Sequence, residues 1–352
     1  MKKITTLWMT LILIFTLTAC SGGKVAVITL GDPITVAGSG AEANGNTVNI
    51  TAGGTYSISG ELTNGQVEVN TKEKVKIKLN GVTITNNSGP ALLITDAKKV
   101  TVMLVAGTTN YLTDGNSNNK NDAAIFTNDT LVIEGDGILI VTGNNREGIS
   151  SDDDIIINGG TIKITAPDDG LNAHDDITFN GGYVYIIAGG DGIDSNGTTN
   201  LTGGTVVSLG STAEGDGGVD SIRGFTITGG TLIATGNINA APDSSSTQSS
   251  LCINSGSNLA AGTLFHVEQD GNDIVTFAPA RSYQTVLYSS ENLTEGTTYQ
   301  AYLGGSSSGT ATDGLYTDGT YTASTDSTSI SVTAAIVPAG LGETGGPGGN
   351  RP

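Results

Sequence analysis

The chain has little of what cross-links, stiffens or reads nucleic acid. Its 352 residues include one Trp, two Cys and 8 Pro, and aromatic residues make up only 5%. The Trp (Trp8) and one Cys (Cys20) both fall in the first twenty residues. Cys252 is the only thiol beyond that point, so no intrachain disulfide can form there. With no His or other base beside it in sequence, Cys252 reads as a small buried hydrophobe rather than a nucleophile. Basic residues are also scarce: 15 Lys+Arg stand against 34 Asp+Glu, a formal charge of −19. That excludes a non-specific nucleic-acid binder, because nothing would replace the counterions on a phosphate backbone. Strong helix formers do not dominate, which disfavours helices in any number. What is abundant is Gly, at 52 residues, together with Thr, Asn and Asp. The Gly shows no three-residue period, which excludes collagen. A hydrophobic share of 37% is too rich for a disordered acidic chain. Many short strands joined by many turns fit this balance.

Lys2 and Lys3 precede an apolar run from Leu7 to Ala19 that is too short to span a membrane as a mature helix. It closes on Leu17-Thr18-Ala19-Cys20, which resembles a bacterial lipobox. Residues 1–19 are therefore expected to be a lipoprotein signal peptide, with Cys20 lipidated and 20–30 a lipidated linker. The protein would be exported and anchored to the bacterial membrane, exposed at the cell surface or in the periplasm.

From residue 130 the chain cycles with a period near 22. Ile155-Ile156-Ile157-Asn158-Gly159-Gly160-Thr161-Ile162-Lys163-Ile164 is followed by Ile177-Thr178-Phe179-Asn180-Gly181-Gly182-Tyr183-Val184-Tyr185-Ile186. Further Gly pairs stand at 203 and 229. Looser copies lie around Ala91-Leu92-Leu93 and Ala124-Ile125-Phe126, with an insertion at about 109–121. Apolar residues alternate on either side of each Gly pair, the period of a strand with one buried face. A unit of this size cannot bury that face alone, so copies must stack. In-register copies favour a parallel β-helix over a β-sandwich. The expected organisation is all-β, with a β-helix over 31–240 and a linker or loop at 241–261. A C-terminal β region at 262–336 would cap the solenoid's open edge, and 337–352 would be a disordered tail.

One turn of each coil carries acid: Glu147-Gly148-Ile149-Ser150, Asp169-Gly170-Leu171-Asn172, Asp191-Gly192-Ile193-Asp194 and Gly218-Val219-Asp220. Stacking puts Glu147, Asp169 and Asp191 in one column and Ser150, Asn172, Asp194 and Asp220 in the next. Asp152–Asp154 and His174-Asp175-Asp176 occupy the adjoining corner. Two carboxylates ~5 Å apart repel by about 3 kcal/mol at an effective dielectric of 20, so cations are expected among them. Oxygen-only donors favour Ca²⁺ over zinc. Isolated acids such as Asp32, Asp114 and Asp313 read as ordinary turn residues screened by water.

The lipobox, the Asp-Gly-Ile/Leu-Asn/Asp turns and the Asn-Gly-Gly strands together resemble a family of bacterial lipoproteins with a carbohydrate-binding domain. The stretch from Phe277-Ala278-Pro279 through Tyr299 to Gly304-Gly305 is similar to that family's C-terminal part. The resemblance implies a right-handed, single-stranded parallel β-helix of the polysaccharide-lyase type. It also implies calcium on the acidic turns and binding of cellulose and of polygalacturonate or pectin. Carried over by position, the calcium residues are Asp169, Asn172, Asp191, Asp194 and Asp220, with Asp153 and Asp175. Glu147 stands where the motif has Asp, and Gly217 interrupts the first column.

Three functions follow as expectations. The first is a monomeric, non-catalytic surface module that grips acidic plant polysaccharide through Ca²⁺, since a metal can invert the local charge of an acidic protein. Tyr183 and Tyr185 point outward by alternation and would stack on sugar, with Arg223 as a basic contact. The second is a calcium-dependent pectate lyase acting by β-elimination, with Arg146, Lys163, Arg223 or His174 as the nearby base. The third is a structural adhesin or envelope scaffold.

Overall fold

A computed structural model of the chain describes residues 24–116 and 121–341. Cys20 and the apolar run before it lie outside the described residues, as does the tail from 342 onward. Among the described residues the fold is all-β, a solenoid of about seven turns.

Each coil follows directly from its alternation. Ile155, Ile157, Ile162 and Ile164 are at most 1% exposed, and Ile156 and Lys163 between them face outward. A fully buried aliphatic side chain contributes about 1.5–3 kcal/mol, so slipping the register by one residue would forfeit four such contributions per coil. Ile155–Ile157 turns through the Gly pair into Thr161–Ala166, which turns into Leu171–Ala173 and then into Ile177–Phe179 of the next coil. Gly182, the second of its pair, has φ 85°, and a Cβ there would lie 2.7 Å from the Gly160 carbonyl oxygen of the coil below. Only Gly suits that corner.

Stacking in parallel register makes three faces. Leu131–Gly135, Ile155–Ile157, Ile177–Phe179, Thr198–Leu201 and Gly224–Ile227 run up the first. Thr109–Thr113, Ile138–Thr142, Thr161–Ala166, Tyr183–Ala188, Thr205–Leu209 and Thr231–Gly236 form the second. Ala123–Thr127, Glu147–Ser151, Leu171–Ala173, Ile193–Ser195 and Val219–Ser221 form the third.

Three expected boundaries shift. Lys24–Leu30, expected within the lipidated linker 20–30, is already a strand, pairing in parallel with Gly54–Leu62. Thr109–Thr113, expected as the start of an insertion, is a regular strand of the second face, because Asn110 and Leu112 keep the inward alternation. Within the expected linker 241–261, Ser250–Leu259 is a strand. The Ser-rich stretch before it lies along the last coil: the Asp243 N–H donates to the Phe225 carbonyl at 2.7 Å and the Thr247 N–H to that of Ile227 at 3.0 Å.

The C-terminal region closes the second face by antiparallel pairing, with Tyr283–Ser289 against Thr231–Gly236 and Ser250–Leu259 against Tyr283–Ser289. Beyond it an antiparallel sheet of six strands includes Phe265–Gln269, Asn272–Phe277 and Thr298–Leu303. This region also lies on the outer surface of the second face. Tyr185, Val207 and Ile233 pack there with Phe265, Phe277, Tyr283 and Tyr299 in a second core.

Candidate functional site

The acidic turns sit between the second and third faces. Glu147, Asp169 and Asp191 are buried, at 2–3% exposed. Each carboxylate accepts a backbone N–H from one coil further on: Asp169 to Glu147 Oε2 at 2.9 Å, Asp191 to Asp169 Oδ1 at 2.7 Å and Gly217 to Asp191 Oδ1 at 2.6 Å. The first column is thus a ladder that ties coil to coil. Gly170 lets this turn press against the solenoid, since a Cβ there would meet Ile186 Cγ2 at 2.2 Å. Burial pushes the Asp191 carboxyl up to about 9, with Asp169, Asp194 and Asp220 adding to the effect. Glu147 is pushed up to about 9 as well, by burial first and then by Asp169 and Asp168.

The second column stands on the third face. Ser150, Asn172, Asp194 and Asp220 occupy one register position in consecutive strands. The last three are half-buried and alternate with inward-facing neighbours. Asn172 Nδ2 lies 3.4 Å from Asp169 Oδ2 and 3.2 Å from Asp194 Oδ2. One amide therefore sits between a carboxylate of the buried ladder and one of the outward column. Asp169, Asn172, Asp191, Asp194 and Asp220 belong to one electrostatic group.

Asp153 and Asp175 lie apart from that group, at the corner between the third and first faces. Asp154, which sequence reasoning noted but did not select, joins them: the three bring one carboxylate oxygen each within 4.8 Å of one another. Asp154 Oδ1 accepts the Asp176 N–H at 3.1 Å, and Asp153 Oδ2 accepts the Thr130 hydroxyl. Burial raises the Asp154 pKa, with Asp153, Asp176 and Asp175 reinforcing it. Arg223 is exposed in this same corner column. Its N–H donates to the Gly197 carbonyl, and the Gly197 N–H donates to that of Asp175.

The expected tyrosine platform is not open. Tyr183 and Tyr185 do point away from the solenoid interior, but the C-terminal region covers them. Tyr185 is 8% exposed, and the Tyr183 hydroxyl donates to Asp313 Oδ2 at 3.1 Å. Lys163 pairs with the same Asp313 at 2.8 Å. Arg146 is held by Asp168 at 2.8 Å and Asp122 at 3.0 Å, and its hydrogen bonds to Asp168 raise its pKa. A paired guanidinium held further into its charged state is poorly placed to remove a proton. Asn239, which no sequence pattern marked, ends the turn column: its Oδ1 accepts the N–H groups of Gly218 at 2.9 Å and Val219 at 3.2 Å.

Comparison with known proteins bears on the family and the fold. A family model described as carbohydrate-binding domain-containing protein matches residues 44–279. A carbohydrate-binding domain-containing protein of Acetivibrio thermocellus is 35% identical over 128 residues, which make up 34% of this chain and 45% of that protein. The chain thus spans under half the length of that relative. A polysaccharide lyase-like protein from C. thermocellum, solved as a gadolinium derivative, is 31% identical and superimposes with a TM-score of 0.56. That alignment covers 60% of this chain and 90% of its counterpart. Because the family model spans more than half of its length, this chain belongs to the family of carbohydrate-binding domain-containing proteins.

Proposed function

We propose that the protein is a calcium-dependent, non-catalytic polysaccharide-binding lipoprotein of the bacterial cell surface, whose ligand is an acidic plant polymer of the polygalacturonate or pectin type. The observation that supports this reading is the crowding of carboxylates in one place, with Asp169 Oδ2 and Asp194 Oδ2 both within 3.4 Å of the Asn172 amide and Asp220 next to Asp194 in the outward column.

The donor types suit the metal, and at the corner the carboxylate oxygens of Asp153, Asp154 and Asp175 already lie within 4.8 Å of one another. Calcium takes 6–8 oxygen ligands at about 2.3–2.6 Å, and each residue of this group carries a side-chain oxygen. Asp169, Asn172, Asp191, Asp194 and Asp220 would hold it, with Asp153, Asp154 and Asp175 as a second group at the corner. When bound, calcium neutralises the carboxylates and offers coordination positions to a uronate carboxylate. The chain's own residues supply pre-organisation, since Asp169 and Asp191 each fix one oxygen on the backbone of the next coil and so orient the other. The related structure solved as a gadolinium derivative fits the same reading. Cellulose stays an expectation of family resemblance, because Tyr183 and Tyr185 are covered.

Retention on immobilised polygalacturonate tests the function. Binding should require calcium and should be lost in excess chelator and in Asp194→Ala; retention unchanged by chelator would sink the proposal. Incorporation of labelled fatty acid, abolished in Cys20→Ser, tests the anchor.

A further inference from the structure

We propose that the C-terminal sheet holds a second, chemically different metal site, in which His266 Nε2, Glu268 and Asp273 bind a borderline divalent ion of the Zn²⁺ type. The site is separate from the acidic turns and does not depend on the calcium reading.

His266 and Glu268 lie two apart on Phe265–Gln269 and so share a face. Glu268 pairs across the hairpin with Asp273, and His266 pairs with Thr276. A bulge between Val267 and Glu268 locally shifts the register and gathers the three side chains. Their ligand atoms lie within 4.8 Å of one another.

The imidazole is fully buried, at 0% exposed, and among the described residues its Nε2 has no hydrogen-bond partner. Nδ1 is engaged by Thr276 Oγ1 at 2.7 Å. The ring is fixed by Tyr321 stacked on it, with centroids 4.1 Å apart and planes at 11°. An orphan ring nitrogen in a buried, immobilised His calls for an explanation. Nε2 faces Asp273 Oδ1 at 3.5 Å and Glu268 Oε2 at 3.8 Å. Those distances exceed the 2.7–3.2 Å of an N–H···O hydrogen bond. They approach the ligand-to-ligand edge of a tetrahedron with metal bonds of ~2.0–2.2 Å, an edge of roughly 3.3–3.6 Å.

The surroundings match a metal centre. Thr276 on Nδ1 sets which ring nitrogen is free, and the Tyr302 hydroxyl holds Glu268 Oε1 at 3.1 Å, leaving Oε2 for the centre. Outer contacts of this kind commonly orient metal ligands. One imidazole with two carboxylates suits zinc better than calcium, which prefers an all-oxygen shell. A polar cleft of about 180 Å³, lined in part by Asp273, Thr276 and Tyr321, adjoins the cluster. It leaves room for a fourth, exchangeable ligand.

Co²⁺ is the probe. It is titrated into the metal-stripped full chain in buffer containing saturating Ca²⁺, which occupies oxygen-only sites. We expect one equivalent to bind with the intense visible absorption of a tetrahedral, nitrogen-ligated ion and to be displaced by Zn²⁺. Asp273→Asn and Glu268→Gln alter side chains that are partly exposed and should fold with unchanged melting temperature while weakening Co²⁺ binding at least ~10-fold. Absence of that absorption in the wild-type chain, or its persistence at full affinity in both variants, would overturn the assignment.

Discussion

Asp169 accepts the backbone N–H of Asp191 at 2.7 Å through Oδ1 while its Oδ2 lies 3.4 Å from the Asn172 amide. One side chain thus ties two coils together and borders the outward column. Substitution should separate these roles. Asp169→Asn keeps an acceptor for the Asp191 N–H and should cost less than about 1 kcal/mol in chelator, whereas Asp169→Ala orphans a buried donor and should cost about 1–3 kcal/mol. The proposed calcium site predicts a rise in melting temperature on adding calcium to the wild-type chain, and both variants should lose it. Denaturant unfolding in chelator, set beside melting curves with and without calcium, checks both outcomes.

The ladder also sets a pH dependence. Burial, followed by Asp169 and Asp168, pushes the Glu147 carboxyl up to about 9 against an ordinary value of 4.5, with Arg146 opposing. A folded value above the unfolded one means that the proton is bound more tightly in the native state. The resulting stabilisation is complete below the unfolded value and is lost as pH rises through about 9. In chelator, the melting temperature should therefore fall from about pH 5 to about pH 9. Glu147→Gln keeps the side-chain oxygen for the Asp169 N–H and should make that slope shallower, the remainder coming from Asp191, which burial also pushes up to about 9. An equally steep profile in the variant would contradict it.

Tyr185 is a core residue that the sequence presents as a surface one. At 8% exposed, it packs among Val207, Ile233, Phe265 and Tyr283. Tyr185→Ala should cost about 3–5 kcal/mol, the usual penalty for emptying a buried aromatic site. It should leave polysaccharide affinity unchanged wherever the protein is folded. Unfolding curves paired with retention on polygalacturonate below the melting point test this directly.

The solenoid was legible because its information is local and repeated. The alternation at Ile155, Ile157, Ile162 and Ile164 fixes the inward face, and copies at a near-constant interval fix the stacking. The same logic located Asn172, Asp194 and Asp220 in one register position. Contacts made once, between distant segments, were illegible. Asp313 reads as a screened turn acid, yet it meets both Lys163 and Tyr183, well over a hundred residues earlier. Asp114 reads the same way but is 2% exposed and takes the Asn144 N–H. Alternation shows which side of a strand a residue occupies and says nothing of what later chain lies upon it, which is why Tyr183 and Tyr185 looked open. His266 was passed over because its partners Glu268 and Asp273 converge only once the hairpin forms.

A solenoid must also end, and here a single side chain stands in for the missing coil. In the middle of the stack the Gly148 N–H donates to the Asp169 carbonyl and the Gly170 N–H to that of Asp191, each at 3.0 Å. At the last turn the Gly218 and Val219 N–H groups instead share Asn239 Oδ1, while Asn239 Nδ2 donates to the Thr285 hydroxyl at 3.0 Å. Asn239 is fully buried, so water cannot replace it cheaply. Asn239→Ala should orphan two buried donors and cost about 2–4 kcal/mol. The damage should be local, because each coil contacts mainly its neighbours. Hydrogen exchange distinguishes this from general loosening: the Gly218 and Val219 amides should lose protection while those of Ile149 and Leu171 keep theirs. Equal loss at all four would mean that the solenoid melts as one unit and that Asn239 is no more than another core residue.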